Sequence, residues 1–115
     1  MKEDKNIRQF RKGVLELCIL SVLSKQDAYV SDLIEVLKES KLIVVEGTMY
    51  PLLMRLKNDG YLTYQWVESK LGPPRKYYRI SKLGTEYLVQ LENSWDNMSK
   101  IVTEIRNKEN QSIIS

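Results

Sequence analysis

The sequence contains no histidine, one cysteine (Cys18) and one phenylalanine (Phe10) among 115 residues. Without imidazole, the commonest zinc ligand and the usual general base are both missing, which removes most metal and acid–base chemistry. An imidazole pH switch is excluded for the same reason. A lone cysteine cannot form an internal disulfide. Cys18 lies within an apolar run and reads as a small core residue rather than a reactive thiol. The five glycines and three prolines include no phosphate-cradling loop, and no carboxylate pair stands in a catalytic motif. Long hydrophobic runs are also missing. The stretch Val14 to Leu23 is interrupted by Glu16 and Ser21, falls far short of the roughly 20 residues of a membrane span and has no leader-type cleavage pattern. These absences predict a small cytoplasmic chain that is not an enzyme, with no metal, no cofactor and no membrane span.

What is present is one ordinary domain, 43% hydrophobic and 29% charged, long enough to bury a core without staples. A first helix is expected from about Asp4 to Ser24. Ile7, Phe10, Val14, Leu17, Cys18 and Ser21 line one face, and Leu15, Ile19, Val22 and Leu23 add a second, so this helix should be sandwiched between two bodies of protein. A second helix runs to Glu39 with Val30, Leu33, Ile34 and Leu37 as a single buried stripe. In the third, Met49, Leu52, Leu53 and Leu56 face inward. Pro51 places its start near Gly47 or Thr48, and Gly60 ends it as a left-handed cap. The opposite face carries Gly47, Pro51, Met54, Arg55 and Asn58, flanked by Thr48, Tyr50 and Lys57.

Beyond Gly60 the period falls to two. Leu62, Tyr64 and Trp66 alternate with Thr63 and Gln65, and Arg75–Ile80 makes a second strand across a loop at 69–74. Three helices and a hairpin follow the winged helix-turn-helix plan. The fold class is thus mainly α with a small β-hairpin, followed by a C-terminal dimerisation helix. In that last helix Leu88, Leu91, Trp95, Met98, Val102 and Ile105 form an a/d seam over nearly three heptads. So narrow a seam calls for a second copy, making the chain a homodimer. The expected units are residues 1–80 for the winged helix, 81–108 for the dimerisation helix and 109–115 for a polar tail.

Net charge is only +3, from 18 basic and 15 acidic side chains, and its distribution says more. Residues 1–12 carry five cations (Lys2, Lys5, Arg8, Arg11, Lys12) against two acids, and residues 70–79 carry Lys70, Arg75, Lys76 and Arg79 against none. Residues 84–109 hold three cations against five acids. A basic, Gly/Pro-tipped wing beside an amphipathic third helix suits a phosphate backbone. Thr48 and Tyr50 offer hydroxyl donors, Pro51 a flat leading surface, and Arg55 a fork for phosphate or guanine. Lys70, Arg75 and Lys76 would contact the backbone or a minor groove and position the protein.

The run from Glu46 to Leu62, followed by Pro74-Arg-Lys-Tyr-Tyr-Arg-Ile80, closely resembles the PadR family of bacterial transcriptional regulators. The first-helix run from Lys12 to Leu20 is similar too, and the likeness covers nearly the whole chain. The His-Gly dipeptide expected before the second helix stands here as Asp27-Ala28, with Tyr29 kept. The resemblance implies a homodimeric repressor that releases its DNA operator on binding a small molecule, and a dimer that presents two third helices to successive major grooves predicts an inverted-repeat operator. The short C-terminal helix with its Ser94-Trp95 pair looks like the compact branch that includes multidrug-binding repressors, in which flat aromatic compounds stack between two tryptophans at the dimer centre. By that likeness Trp95 is the stacking platform, and Phe10, Val14, Leu17 and Ser21 line the same cavity. Spacing alone leaves a second use of Trp95 open, as a packing residue of the seam. It also leaves open a winged-helix protein-interaction module that binds an acidic protein instead of DNA.

Overall fold

The computed structural model describes residues 5–109. Lys2, the side chains of Lys5, Arg8 and Lys12, and the polar tail beyond 109 lie outside what it describes. The elements are α1 (Lys5–Leu23), α2 (Val30–Glu39), α3 (Glu46–Asn58), β1 (Leu62–Ser69), β2 (Gly72–Ile80) and α4 (Lys82–Arg106). This is a mostly helical winged helix-turn-helix with one antiparallel hairpin and a trailing helix. No helix among the described residues is long and apolar enough to cross a membrane.

A single core ties the first three helices to the hairpin. Leu15, Ile19, Leu20 and Leu23 of α1 meet Leu33 and Leu37 of α2, Met49, Leu53 and Leu56 of α3, and Leu62 and Tyr78 of the hairpin, all buried. Each such aliphatic side chain stabilises the fold by about 1.5–3 kcal/mol, so together they set the helix orientations. The two faces of α1 therefore fare differently. The Leu15, Ile19 and Leu23 face is covered, whereas Ile7 is exposed, Phe10 is 75% exposed, and Val14, Leu17, Cys18 and Ser21 are half-buried. Burial pushes the Cys18 thiol pKa up, which keeps it a packing group rather than a thiolate.

α3 starts at Glu46, a residue or two before the sequence-based start, so Pro51 falls in its second turn. Pro51 has no N–H to return to the Gly47 carbonyl. That carbonyl stands on the exposed side of the helix, where another donor can reach it. Gly60 has the expected positive φ of 88°. Its N–H bonds to the Lys57 carbonyl at 3.0 Å and that of Tyr61 to Leu56 at 2.9 Å, the paired closure of a Schellman end.

The hairpin is longer than the sequence reading allowed. Gly72, Pro73 and Pro74, expected in the loop, belong to β2, and the turn shrinks to Lys70-Leu71, with Ser69 opposite Gly72. Proline is tolerated because β2 is an edge strand of a two-stranded sheet, and the ladder is already irregular between Val67 and Ser69, opposite this end of it. Ala28 adds a one-residue bridge to Tyr78, with N···O distances of 3.0 and 2.8 Å. The Asp27 carboxylate pairs with Arg79 at 2.9 Å. The departure at Asp27-Ala28 is therefore built into the sheet: Ala28 is buried against it, and Arg79, counted above as a basic wing residue, has its charge offset.

Ser81 caps α4, accepting from the Gly84 N–H at 2.9 Å and donating to the Gly60 carbonyl at 2.6 Å. Tyr87 stacks on Tyr61 with centroids 4.1 Å apart and planes 9° from parallel. The start of α4 is thus keyed to the corner between α3 and β1. The predicted seam divides accordingly. Leu88 is buried in the chain's own core and Leu91 packs on it, whereas Met98, Val102 and Ile105 stand exposed along the rest of the helix. At 25 residues, or about 37 Å, α4 accounts for much of the 69 Å long axis.

Candidate nucleic-acid interface

Burial of Met49, Leu53 and Leu56 turns the other side of α3 to solvent. Gly47, Thr48, Tyr50, Pro51, Met54, Arg55, Lys57 and Asn58 are all exposed, as the helical wheel requires. Small and flat residues at the leading end would let the backbone approach a groove closely, and Met54 and Asn58 would offer an apolar end and an amide to base edges there.

The wing brings its cations beside this surface in fixed positions. The Arg75 guanidinium lies over the Tyr29 ring at 3.9 Å from its centroid and donates to the Ser31 hydroxyl at 2.7 Å. Lys76, which faces Trp66 in the strand register, holds its ammonium 4.5 Å from the Tyr64 centroid and 5.4 Å from that of Trp66. Lys57 reaches the same Tyr64 ring from α3 at 5.8 Å. Exposed cation–π contacts are worth about 0.5–1 kcal/mol each. Such contacts also restrict long side chains, which would lower the cost of using them on a phosphate.

Two clefts result. One of about 310 Å³ lies between the start of α2, the start of α3 and the wing, and is lined by Tyr29, Ser31, Glu46, Tyr50, Trp66 and Arg75. The other, about 380 Å³, lies between α3 and the hairpin, with Pro51, Met54, Lys57, Asn58, Tyr64 and Lys76 around it. Tyr50 borders both. Glu46 is the acid of the first cleft. It sits in the first turn of α3, where the helix dipole favours it, and can accept from a cytosine amino group.

Of the residues singled out from sequence, Tyr50, Pro51, Arg75 and Lys76 line these two clefts, Thr48 lies with Arg55 on the α1 side of α3, and Lys70 stands at the hairpin turn. Arg55 does not point freely outward: its guanidinium pairs with Glu16 of α1, and the Tyr87 hydroxyl donates to the same carboxylate at 3.2 Å. The helical wheel put Lys57 on the flank of this face, but sequence reasoning missed Tyr29, Ser31, Tyr64 and Trp66 as parts of the surface. The signal for Tyr64 and Trp66 was the i, i+2 spacing on one strand face, but their lysines become visible only with the register. Trp95 is 49% exposed, and the Ser21 hydroxyl is spent on the Leu17 carbonyl at 2.7 Å. Among the described residues no group of three or more Cys, Asp or Glu gathers to hold a metal ion.

Residues 19–90 match the model of the transcriptional regulator PadR-like family. A PadR-like transcription factor from Bacteroides fragilis is 55% identical, with a TM-score of 0.75 over 89% of this chain and 99% of that one. A PadR-like transcriptional regulator from Bacillus cereus is 37% identical, with a TM-score of 0.74 over 88% and 99% of the two chains. A PadR family transcriptional regulator from Eggerthella lenta has a TM-score of 0.84 at 29% identity, over 90% of each chain.

Proposed function

Because the chain belongs to the PadR-like family of transcriptional regulators, we propose that it is a homodimeric repressor that binds an inverted-repeat operator and releases it to a small aromatic effector. The observation that carries the DNA half of this reading is the exposed face of α3 flanked by ring-ordered Arg75, Lys76 and Lys57. Residues 1–80 are the reading head, α4 within 81–108 is the dimerisation element, and a regulator of this kind acts on the chromosome in the cytoplasm. The dimer sets two α3 helices into successive major grooves, about 34 Å apart. Footprinting on a duplex selected from random sequence should protect two half-sites together. Duplex binding that is weak and flat with salt would favour the protein-interaction reading instead.

Dimerisation draws its support from α4. Trp95, Met98, Ile101, Val102 and Ile105 are each 40% or more exposed, a contiguous apolar stripe of the kind that marks an interaction surface. Its heptad spacing fits a second copy of the same helix. The double variant Met98→Glu/Val102→Glu is expected to sediment as a monomer with an unchanged far-UV spectrum, because both side chains are exposed in the single chain. A persistent dimer would move the interface elsewhere.

For the effector, the support is Trp95 at the start of that stripe, with exposed Phe10 on α1 and half-buried Val14, Leu17 and Ser21 on the same helix. A flat aromatic dye should quench tryptophan emission in the unsubstituted chain and quench it far less in Trp95→Ala, where Trp66 alone emits. Equal quenching in both would remove Trp95 from the effector site. A ligand induces only through its preference for the dimer geometry that does not fit DNA, so its leverage equals that difference in affinity.

A further inference from the structure

One carboxylate joins three helices at the edge of the α3 surface. Glu16 of α1, with its side chain 24% exposed, pairs through one oxygen with Arg55 of α3. The other oxygen accepts the Tyr87 hydroxyl of α4. Tyr87 is held by its stack on Tyr61, and burial, then the Glu16 charge, push its pKa up. Near neutral pH it is therefore a donor. Arg55 is on the α1 side of α3, along a groove of about 420 Å³ shared with Arg11, Thr48 and Pro51. With its side chain 58% exposed, an unpaired arginine here would be a mobile cation beside the groove-reading face. Such a cation binds any phosphate and carries no sequence information.

We propose that Glu16 is a positioning residue that sets DNA specificity: it holds Arg55 in a fixed pair and withholds that charge from indiscriminate phosphate contact. The inference rests on the DNA-binding reading above and adds a route from α4 to α3. Movement of α4 against α1 breaks the Tyr87 bond, loosens the carboxylate and frees Arg55. The position of the dimerisation helix is thus felt at the reading surface through three side chains.

The test compares Glu16→Gln, Tyr87→Phe, Arg55→Ala and Glu16→Gln/Arg55→Ala in the full chain. Each is titrated on a short mixed-sequence duplex and on a duplex selected from random sequence by the unsubstituted chain. Glu16→Gln is expected to bind the mixed duplex about fivefold more tightly near physiological salt, with a log–log salt slope steeper by about 0.9, the value of one added phosphate contact. Its preference for the selected duplex falls. Tyr87→Phe, which keeps the ring stack, moves the same way by a smaller factor. The double variant matches Arg55→Ala, because no cation is left to release. An unchanged slope in Glu16→Gln overturns the proposal. So does a parallel loss on both duplexes that tracks a lower melting temperature, or additive effects in the double variant. If the unsubstituted chain itself shows no salt-dependent duplex binding, the DNA reading fails, and this inference fails with it.

Discussion

Replacing Gly84 with alanine is expected to lower the melting temperature by about 10–20 °C, the equivalent of roughly 3 kcal/mol for a chain of this size. A Cβ on Gly84 would stand 2.1 Å from the Tyr61 carbonyl oxygen and 2.8 Å from Ile80 Cγ1. The first of these is backbone, held by the Schellman end of α3 and by the Ser81 N–H, which donates to that same oxygen at 3.0 Å. It cannot swing aside as a side-chain tip would. On helix propensity alone the substitution should help, by about 1 kcal/mol. The steric term wins because relief requires lifting the first turn of α4 from the α3–β1 corner, which also opens the Tyr61–Tyr87 stack and the Ser81 cap. Melting followed by circular dichroism at one fixed protein concentration is the measurement, since a dimer's midpoint depends on concentration. A midpoint that is unchanged or raised would mean that α4 is not seated on this corner.

The second large effect concerns the wing. Arg75→Ala/Lys76→Ala is expected to flatten the salt dependence of duplex binding by about 1.8 in log–log slope, from two phosphate contacts at 0.9 each. At about 0.15 M salt that corresponds to roughly 30-fold weaker binding, much the same on every sequence, because phosphate contacts position and do not specify. Melting should hardly change, since Arg75 is exposed and Lys76 half-buried, and such contacts add little to stability. Tyr29→Leu separates charge from order. It leaves both cations in place and removes the ring under Arg75, so the slope should stay while affinity drops several-fold. An unchanged slope in the double variant would take the wing out of the interface, and the Ser31 and Tyr29 contacts of Arg75 would then serve only to brace the hairpin against α2.

These two sites show how unevenly the chain's organisation can be read from its letters. Gly60 was identifiable as a helix terminator because the need for positive φ is local and written in one residue type. Gly84 looked like any other glycine near a helix start. Its role comes from a carbonyl 23 positions away in sequence, and only the packing of α4 on the corner brings the two together. Leu88 read as the first residue of an intermolecular seam, yet it is spent on the chain's own core. Periodicity reports which side of a helix is apolar and is silent about which surface covers it. Pro73 and Pro74 read as loop because proline is usually excluded from ladders, a rule that an edge position relaxes.

The charge pattern makes the same division. That basic side chains collect on the hairpin, and that α4 is acidic, was legible from the order of residues. So was the absence of histidine, which leaves the chain without an imidazole whatever the fold. Which cations are available was not legible. Arg79 is answered by Asp27 and Arg55 by Glu16, while Arg75 and Lys76 are held on aromatic faces with their charge still unpaired by any acid in these contacts. Hydrophobic spacing and turn residues act over a few positions, so the sequence by itself determined the helices, the hairpin, their order and the exposed face of α3. Pairing of charges acts through space, here between residues 39 and 52 positions apart, so only the tertiary structure decided which of the basic residues are paired with an acid and which are held on aromatic faces.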